Sequence, residues 1–373
     1  MITYARSRLW VGIFSVGTWV LLSMMTLLNI ETLSAFFHHL SLFDSIIVFL
    51  GFYIFISFPF DMVGGFYLPR KYERNNQSFS SFLLTYIRGI FLHSIFLFII
   101  AFLLLNLFTT YSLSQSLLPL IFTCLVLQLI LSFSQATIAK IISKFTISNS
   151  SEPSHEVWES SDIGFTGGIP LPGIKSIIPK HWIEKFSSDE IQLLLNRRNF
   201  LKQTHSHYLG VLGAIIFNLF GVLVGYGSLT LLGTTLSTHG YLSFLLVWAS
   251  SVSLWSFLGL LILPSLSQKA TLLADISWKN DDRNKITHLI TNLDHFQDSE
   301  PRRKPQIQKI FHPIASVELR LQALEKNEKI SKGTWHIARY CLYYSWSILS
   351  LLGRAVHCNV GRSHLWVFLP SDG

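Results

Sequence analysis

Six long stretches of this chain contain no Asp, Glu, Lys or Arg, and they restrict its possible folds more than any other feature. A helix needs about 20 consecutive apolar residues to cross a bilayer. The stretches cover residues 9–30, 45–60, 89–108, 117–138, 209–236 and 241–266, of which 45–60 is the shortest. The pattern predicts a multi-pass membrane protein with about six transmembrane helices.

The composition agrees with this class. Only 13% of the residues are charged, whereas an ordinary soluble domain has about 25%. The net charge is +8, but Lys and Arg cluster beside the apolar stretches and outside any recognition motif. This arrangement excludes nucleic acid as the expected partner and favours the lipid bilayer. The three isolated cysteines, Cys124, Cys341 and Cys358, have no paired zinc spacing and are predicted to be reduced.

The distribution of basic residues predicts the orientation. If the N-terminus is inside, the outer loops are residues 31–44, 109–116 and 237–240, and none of them contains Lys or Arg. All 29 basic residues then lie on the inner side. The first stretch is longer than a usual signal-peptide core and no clear A-x-A site follows it, so we expect an uncleaved helix. A bacterial plasma membrane suits these features, and a eukaryotic endomembrane would look similar.

Two polar regions divide the chain into four parts. We expect a four-helix membrane bundle in residues 1–142, a cytoplasmic segment in 143–208, a transmembrane hairpin in 209–266 and a second cytoplasmic segment in 267–373. Residues 335–352 form a further apolar run, but Arg339 leaves too few uncharged residues for a span. We therefore predict a docked or interfacial helix there.

A helix start is visible in the first polar region. Ser187-Ser188-Asp189-Glu190 fits a capping box, in which the Ser side chain accepts from the Glu amide and the Glu reaches back. The predicted helix continues through Asn196-Arg197-Arg198-Asn199-Phe200. Upstream, residues 164–173 are rich in Gly and Pro, which favours turns over helix.

The order of these pieces resembles the HtpX-like and CAAX-prenyl-protease family of membrane zinc metallopeptidases. The matching pieces are the Ser187-capped helix, the hairpin, Thr271-Leu272-Leu273-Ala274-Asp275, and His312-Pro313 followed by Arg320. The resemblance covers residues 164–326. It implies an all-α integral membrane protein with a metallopeptidase-like helical unit split around a transmembrane hairpin.

The zinc chemistry of that family is degenerate here. The resemblance implies an HExxH motif, whose two histidines bind zinc and whose Glu activates water, and an ExxAD motif whose Glu completes the site. The matching positions are Asn196, Arg197, Phe200 and Thr271. Phe has no ligand atom, Asn and Thr are poor zinc ligands, and Arg stays protonated. We therefore expect no catalytic residues and no zinc. Arg320 also lies two residues farther from His312 than the family pattern implies.

Two other groups of residues are weak candidates for a metal site. His155-Glu156-Val157-Trp158-Glu159 reads as HExxE, but it follows Pro153 and precedes a turn-rich stretch. His357 beside Cys358 offers donor atoms near the C-terminus. Isolated residues of these types are usually structural.

Several residues are candidates for interaction instead. Arg197 and Arg198 could bind acidic groups, including lipid phosphates, or could belong to a basic helix beside the inner leaflet. Asp275 could connect its helix to the former metal helix, or could be a solvated or capping residue. His312 and Arg320 complete this set. Within the apolar stretches, Gln128, Gln135 and His93 are strongly polar residues that interhelical hydrogen bonds can accommodate.

Three functions follow from these observations. The first is a catalytically inactive homologue that binds or regulates a membrane protein or peptide. The second is an active membrane metalloendopeptidase with atypical zinc ligands, since the alignment could be shifted. The third is a small-solute transporter, although no internal repeat or intramembrane ionisable residue supports it.

Overall fold

A computed structural model describes residues 3–75, 77–143, 145–149, 155–160, 162–171, 175–278, 281–297, 299–326, 333–354, 356 and 359–367. Within them, six helices are long and apolar enough to cross a membrane. They are Tyr4–Leu28, Leu42–Lys71, Phe79–Thr110, Leu113–Ser143, Ser206–Leu231 and Leu236–Trp278. The predicted helical membrane protein with about six spans is confirmed.

The N-terminal part consists of helices joined by short connections. Ser41 and Ser78 begin two of the long helices, because each side chain accepts a hydrogen bond from the backbone N–H three residues later. The helices are α1 (Tyr4–Leu28), α2 (Ile30–Phe37), α3 (Leu42–Met62), α4 (Leu68–Lys71), α5 (Phe79–Thr110) and α6 (Leu113–Ser143). A π-helical turn, Val63–Tyr67, joins α3 to α4.

A small sheet follows, which the all-α prediction did not include. Its strands are β1 (Thr146–Asn149), β2 (His155–Glu159) and β3 (Ser176–Pro179). The strand β2 is central and pairs antiparallel with β1 and parallel with β3. The β-branched residues Ile177 and Ile178 are buried in β3 and suit a covered strand.

The next helices carry the predicted motifs. They are α7 (Lys180–Lys185), α8 (Ser188–Gln203), α9 (Ser206–Leu231) and α10 (Leu236–Asp275). The capping box at the start of α8 is confirmed, since Ser187 and Glu190 exchange both hydrogen bonds. The backbone of α10 is broken at Gly240, whose φ is 74°, and the helix that follows the break is about 50 Å long. It extends beyond the length needed for a span and brings its last two turns against α8.

Four further α-helices lie in the described part of the chain: α11 (Arg283–Gln297), α12 (Pro305–Phe311), α13 (Val317–Lys326) and α14 (Ile337–Tyr344). The first of these packs with α8 around a buried apolar cluster that includes Trp182, Leu194, Leu289 and Leu293. This cluster is the core of the polar part of the molecule.

The C-terminal segment lies inside the membrane bundle. After α14 the chain makes a 3₁₀ turn, Ser345–Ile348, whose residues are all buried. The Trp248 indole of α10 donates to the Ile348 carbonyl over 2.9 Å, and the Leu351 N–H donates to Ser253 Oγ over 2.8 Å. Non-helical backbone can lie among transmembrane helices only where protein satisfies its polar groups. The segment therefore packs as a docked element among the long helices.

Candidate functional site

The face of α8 that meets α10 carries Arg197 and Leu201. Both side chains are fully buried, and Leu201 packs in a cluster with Ala270 and Ala274 of α10. Asn196 is exposed and accepts a hydrogen bond from Gln192 over 3.0 Å. The pair of side chains that faces α10 is thus one residue later than the pair of metal positions predicted from the resemblance, Asn196 and Phe200.

Arg197 belongs to a buried triad with Asp275 and Arg320. Arg197 Nε donates to Asp275 Oδ1 over 2.8 Å, while Arg320 donates through Nε and Nη2 over 2.7 and 2.9 Å. Arg197 also donates to the Thr271 carbonyl over 3.3 Å. No side chain of the triad is more than 2% exposed. Of the two interpretations open for Asp275, the structure shows the first, a tie that joins α10 to α8 and α13.

Arg198 is also fully buried, on the adjacent side of α8. It donates to the Ile177 carbonyl over 3.0 Å and to the Gly168 carbonyl over 3.4 Å. It therefore holds the glycine-rich loop against β3. The interpretation of Arg197 and Arg198 as a solvated basic helix beside the inner leaflet is wrong, because both point into the protein.

The glycine-rich loop approaches β3 closely at one residue. Gly167 has a φ of 60°, and a Cβ atom there would lie 2.1 Å from the Ile177 carbonyl oxygen. Only glycine satisfies both conditions. The predicted preference for turns over helix is confirmed for residues 164–171, while Pro172 and Gly173 lie outside the described residues.

The residues between α8 and α10 do not fit a zinc ion. The facing side chains are a guanidinium and an isobutyl group, and Thr271 donates its hydroxyl to the Ser267 carbonyl over 3.3 Å. Asp275 is the nearest carboxylate, and both of its oxygens already accept from arginines. Across the described part of the chain, no three His, Cys, Asp or Glu residues group closely enough to hold a metal ion.

The HExxE sequence forms strand β2 instead of a helix. Glu156 accepts from the Trp158 indole over 3.0 Å and lies 3.5 Å from Lys140 Nζ. Glu159 pairs with Lys180 over 3.1 Å, and His155 is buried. Both carboxylates therefore face cations that compete with a metal. His357 lies outside the described residues.

A basic cavity of about 80 Å³ lies beside the triad. Arg320 and His312 both line it, so the structure brings together two of the predicted interaction residues. Its charged and imidazole side chains are those of Arg8, Arg303, Arg320, Arg339, Arg362, Asp294, His312 and His364. Residues 164–167 contribute the loop wall. No local sequence pattern marks this cavity, because its residues come from widely separated segments.

Asp162 supports one wall of the basic cavity. Its Oδ2 accepts from Arg362 over 2.6 and 2.8 Å and lies 2.8 Å from His364 Nε2. Burial alone would raise the pKa of Asp162, but the Arg362 guanidinium and the His364 hydrogen bond hold it well below its usual range. Asp162 is therefore a permanent anion behind the wall.

The pKa of His181 predicts how the stability of the protein depends on pH. Burial lowers its pKa to about 4, although Asp162 favours the charged form. The unfolded chain binds this proton near pH 6.5, so stability is lost as pH falls from 6.5 towards 4. We expect His181→Gln to flatten the pH dependence of unfolding between pH 7 and 5, as measured by thermal denaturation in detergent. An unchanged slope would contradict this.

A second buried ion pair lies within the membrane bundle, and the sequence did not predict it. Asp61, just after the second apolar stretch, accepts from the Arg354 guanidinium, from Tyr86 OH over 3.1 Å and from the Gly361 amide over 2.9 Å. Arg354 also donates to Tyr53 OH over 2.9 Å. These contacts fasten the C-terminal segment to α3 and α5. The expectation of no ionisable group inside the bundle is wrong.

The overall fold is similar to that of a solved structure. No family model and no curated protein matches the sequence. Ste24p from S. mikatae superposes with a TM-score of 0.61 at 14% sequence identity, over 86% of each chain. This likeness confirms the membrane metallopeptidase fold that the order of elements predicted. At this identity it carries no activity to the present chain.

Proposed function

We propose that this chain is a catalytically inactive protein with the membrane metallopeptidase fold, which binds or regulates a membrane protein or peptide. One observation carries the proposal: the side chains between α8 and α10 are an arginine that is paired with Asp275 and an apolar Leu201. Neither can hold a metal, and neither can take a proton from water at neutral pH.

The charge at this position also opposes metal binding. Arg197 is fully buried, and the triad has two cations for one anion. A divalent cation placed here would meet an uncompensated positive charge in a medium that screens it poorly. The guanidinium connects α8 to α10, as a metal ion bound between them would. It cannot act as a Lewis acid.

The framework around this position is retained and offers surfaces for binding. The glycine-rich loop and α13 line the basic cavity, and Arg198 fixes the loop against β3. We assign the N-terminus and both polar segments to the cytoplasm, because this places all 29 basic residues on the inner side.

A peptidase assay tests the proposal. Purified protein in liposomes would be incubated with a library of labelled peptides, with added zinc or with a chelator. We expect no cleavage that depends on zinc. Zinc-dependent cleavage that disappears in Thr271→Ala would overturn the proposal and restore an enzyme with atypical ligands. The same assay on Asn196→Ala separates the two possible registers of α8.

A further inference from the structure

The basic cavity contains more positive than negative charge. Five arginines line it, against the single carboxylate of Asp294. Asp294 is bonded to Arg303 over 3.1 Å. When Arg197, Asp162 and Asp275 beside the cavity are included, the described residues contribute six arginines and three aspartates. Buried cations in excess favour an anion in the same space.

Asn359 provides a second, independent observation. Its side chain is fully buried and lines the basic cavity. Neither its amide nitrogen nor its amide oxygen has a hydrogen-bond partner among the described residues. Buried amides are almost always hydrogen-bonded, and an exception at a cavity wall indicates a missing ligand or water. The amide nitrogen can donate to an anion, as the surrounding guanidiniums can.

A larger apolar cavity adjoins the basic one. Its volume is about 300 Å³, and it lies between α1, α10 and α12. Arg339 and Pro313 line both cavities, so the polar and apolar spaces meet at one wall. The other walls are the spans α1 and α10, which include Leu9, Ile13, Phe257, Leu260 and Leu261. The two neighbouring cavities thus offer a basic compartment and an apolar compartment.

We propose that the two adjoining cavities bind one membrane lipid with a phosphate headgroup. The phosphate lies among the arginines and receives a hydrogen bond from Asn359, and one hydrocarbon chain lies between α1 and α10. Arginines bind phosphate through paired, charge-assisted hydrogen bonds, and basic pockets between transmembrane helices recognise anionic headgroups. The apolar cavity favours a lipid over free phosphate. This site is independent of whether zinc is bound.

Lipid binding to the detergent-purified chain tests the proposal. The probes are dioctanoyl phosphatidic acid, dioctanoyl phosphatidylcholine and inorganic phosphate, each titrated and followed by native mass spectrometry. We expect saturable binding of phosphatidic acid, and weaker binding of the other two. Equal affinity for inorganic phosphate would overturn the lipid assignment, and equal affinity for phosphatidylcholine would overturn the anionic site.

A matched pair of arginines supplies the variants. Arg303 lines the basic cavity with 4% of its side chain exposed, whereas the neighbouring Arg302 is 83% exposed. Arg303→Gln should weaken phosphatidic acid binding by about tenfold, and Arg302→Gln should leave it unchanged. Equal effects of the two substitutions would contradict the site. Asn359→Leu removes the amide without touching an ion pair and should weaken binding in the same direction.

The apolar cavity has its own variant. Gly17 lines it, and a Cβ atom at Gly17 would meet nothing within 4 Å. Gly17→Leu should therefore fill the cavity without strain. We expect it to weaken phosphatidic acid binding, to leave weak phosphate binding unchanged and to preserve thermal stability. Unchanged lipid binding in Gly17→Leu would show that the hydrocarbon chain of the lipid does not lie in the apolar cavity.

Discussion

Replacing Asp275 with Ala is expected to lower the free energy of unfolding by about 3–5 kcal/mol. Asp275 is the only carboxylate that contacts Arg197 and Arg320 in the buried triad, within the described part of the chain. Its removal takes away the carboxylate that the two buried guanidiniums share. Urea or thermal denaturation of the detergent-purified protein, followed by tryptophan fluorescence, measures the loss. Trp278 is a suitable reporter because Arg197 lies 5.4 Å from its ring centroid.

An exposed ion pair provides the control for Asp275. Glu325 pairs with Arg283, and both side chains are more than half exposed, so Glu325→Gln should change stability by about 0.5 kcal/mol or less. Equal losses in Asp275→Ala and Glu325→Gln would contradict a buried triad. Replacing Arg197, Asp275 and Arg320 together by apolar residues should recover much of the stability, since no unpaired charge remains.

Arg354→Ala is expected to have a comparable effect, about 3–5 kcal/mol, and to release the C-terminal segment. Arg354 is almost fully buried, pairs with Asp61, and lies 4.7 Å from the ring centroids of Tyr53 and Trp366. Without it, Asp61 is left inside the bundle with only the Tyr86 and Gly361 hydrogen bonds. Stability in detergent measures the first effect. The rate at which a protease cleaves the C-terminal segment measures its release.

The control for Arg354 is Arg6, which pairs with Glu300 and has 57% of its side chain exposed. Arg6→Ala should alter neither stability nor the cleavage rate. The double variant Asp61→Leu with Arg354→Met tests the pairing itself, because it should be more stable than Arg354→Ala alone. A double variant as unstable as the sum of the single ones would contradict a coupled pair.

The spans and the order of elements could be predicted from the sequence because their signals are local. Charge-free stretches of sufficient length identify the helices, and the capping box is contained in four residues. The rotation of α8 could not be predicted. A helix turns by about 100° per residue, so a shift of one residue in the alignment of a degenerate motif exchanges the exposed Asn196 for the buried Arg197.

The burial of the charged residues could not be predicted from the sequence, because their partners are distant along the chain. Arg197 and Arg198 lie in a polar stretch of sequence and resemble a solvated helix face, and Asp275 is separated from Arg197 by 78 residues. Asp61 and Arg354 are 293 residues apart. The basic cavity draws on α1, α13, α14 and the C-terminal segment. Such groupings arise from tertiary packing, which no local periodicity reports.

A guanidinium and an apolar side chain occupy the positions on α8 where zinc ligands would face α10. The zinc content of the purified protein is the measurement that tests this. The protein would be incubated with excess zinc, passed over a desalting column and analysed by elemental mass spectrometry, with Thr271→Ala prepared in parallel. We expect no stoichiometric zinc in either protein. One zinc ion per chain in the wild-type protein, lost in Thr271→Ala, would contradict it.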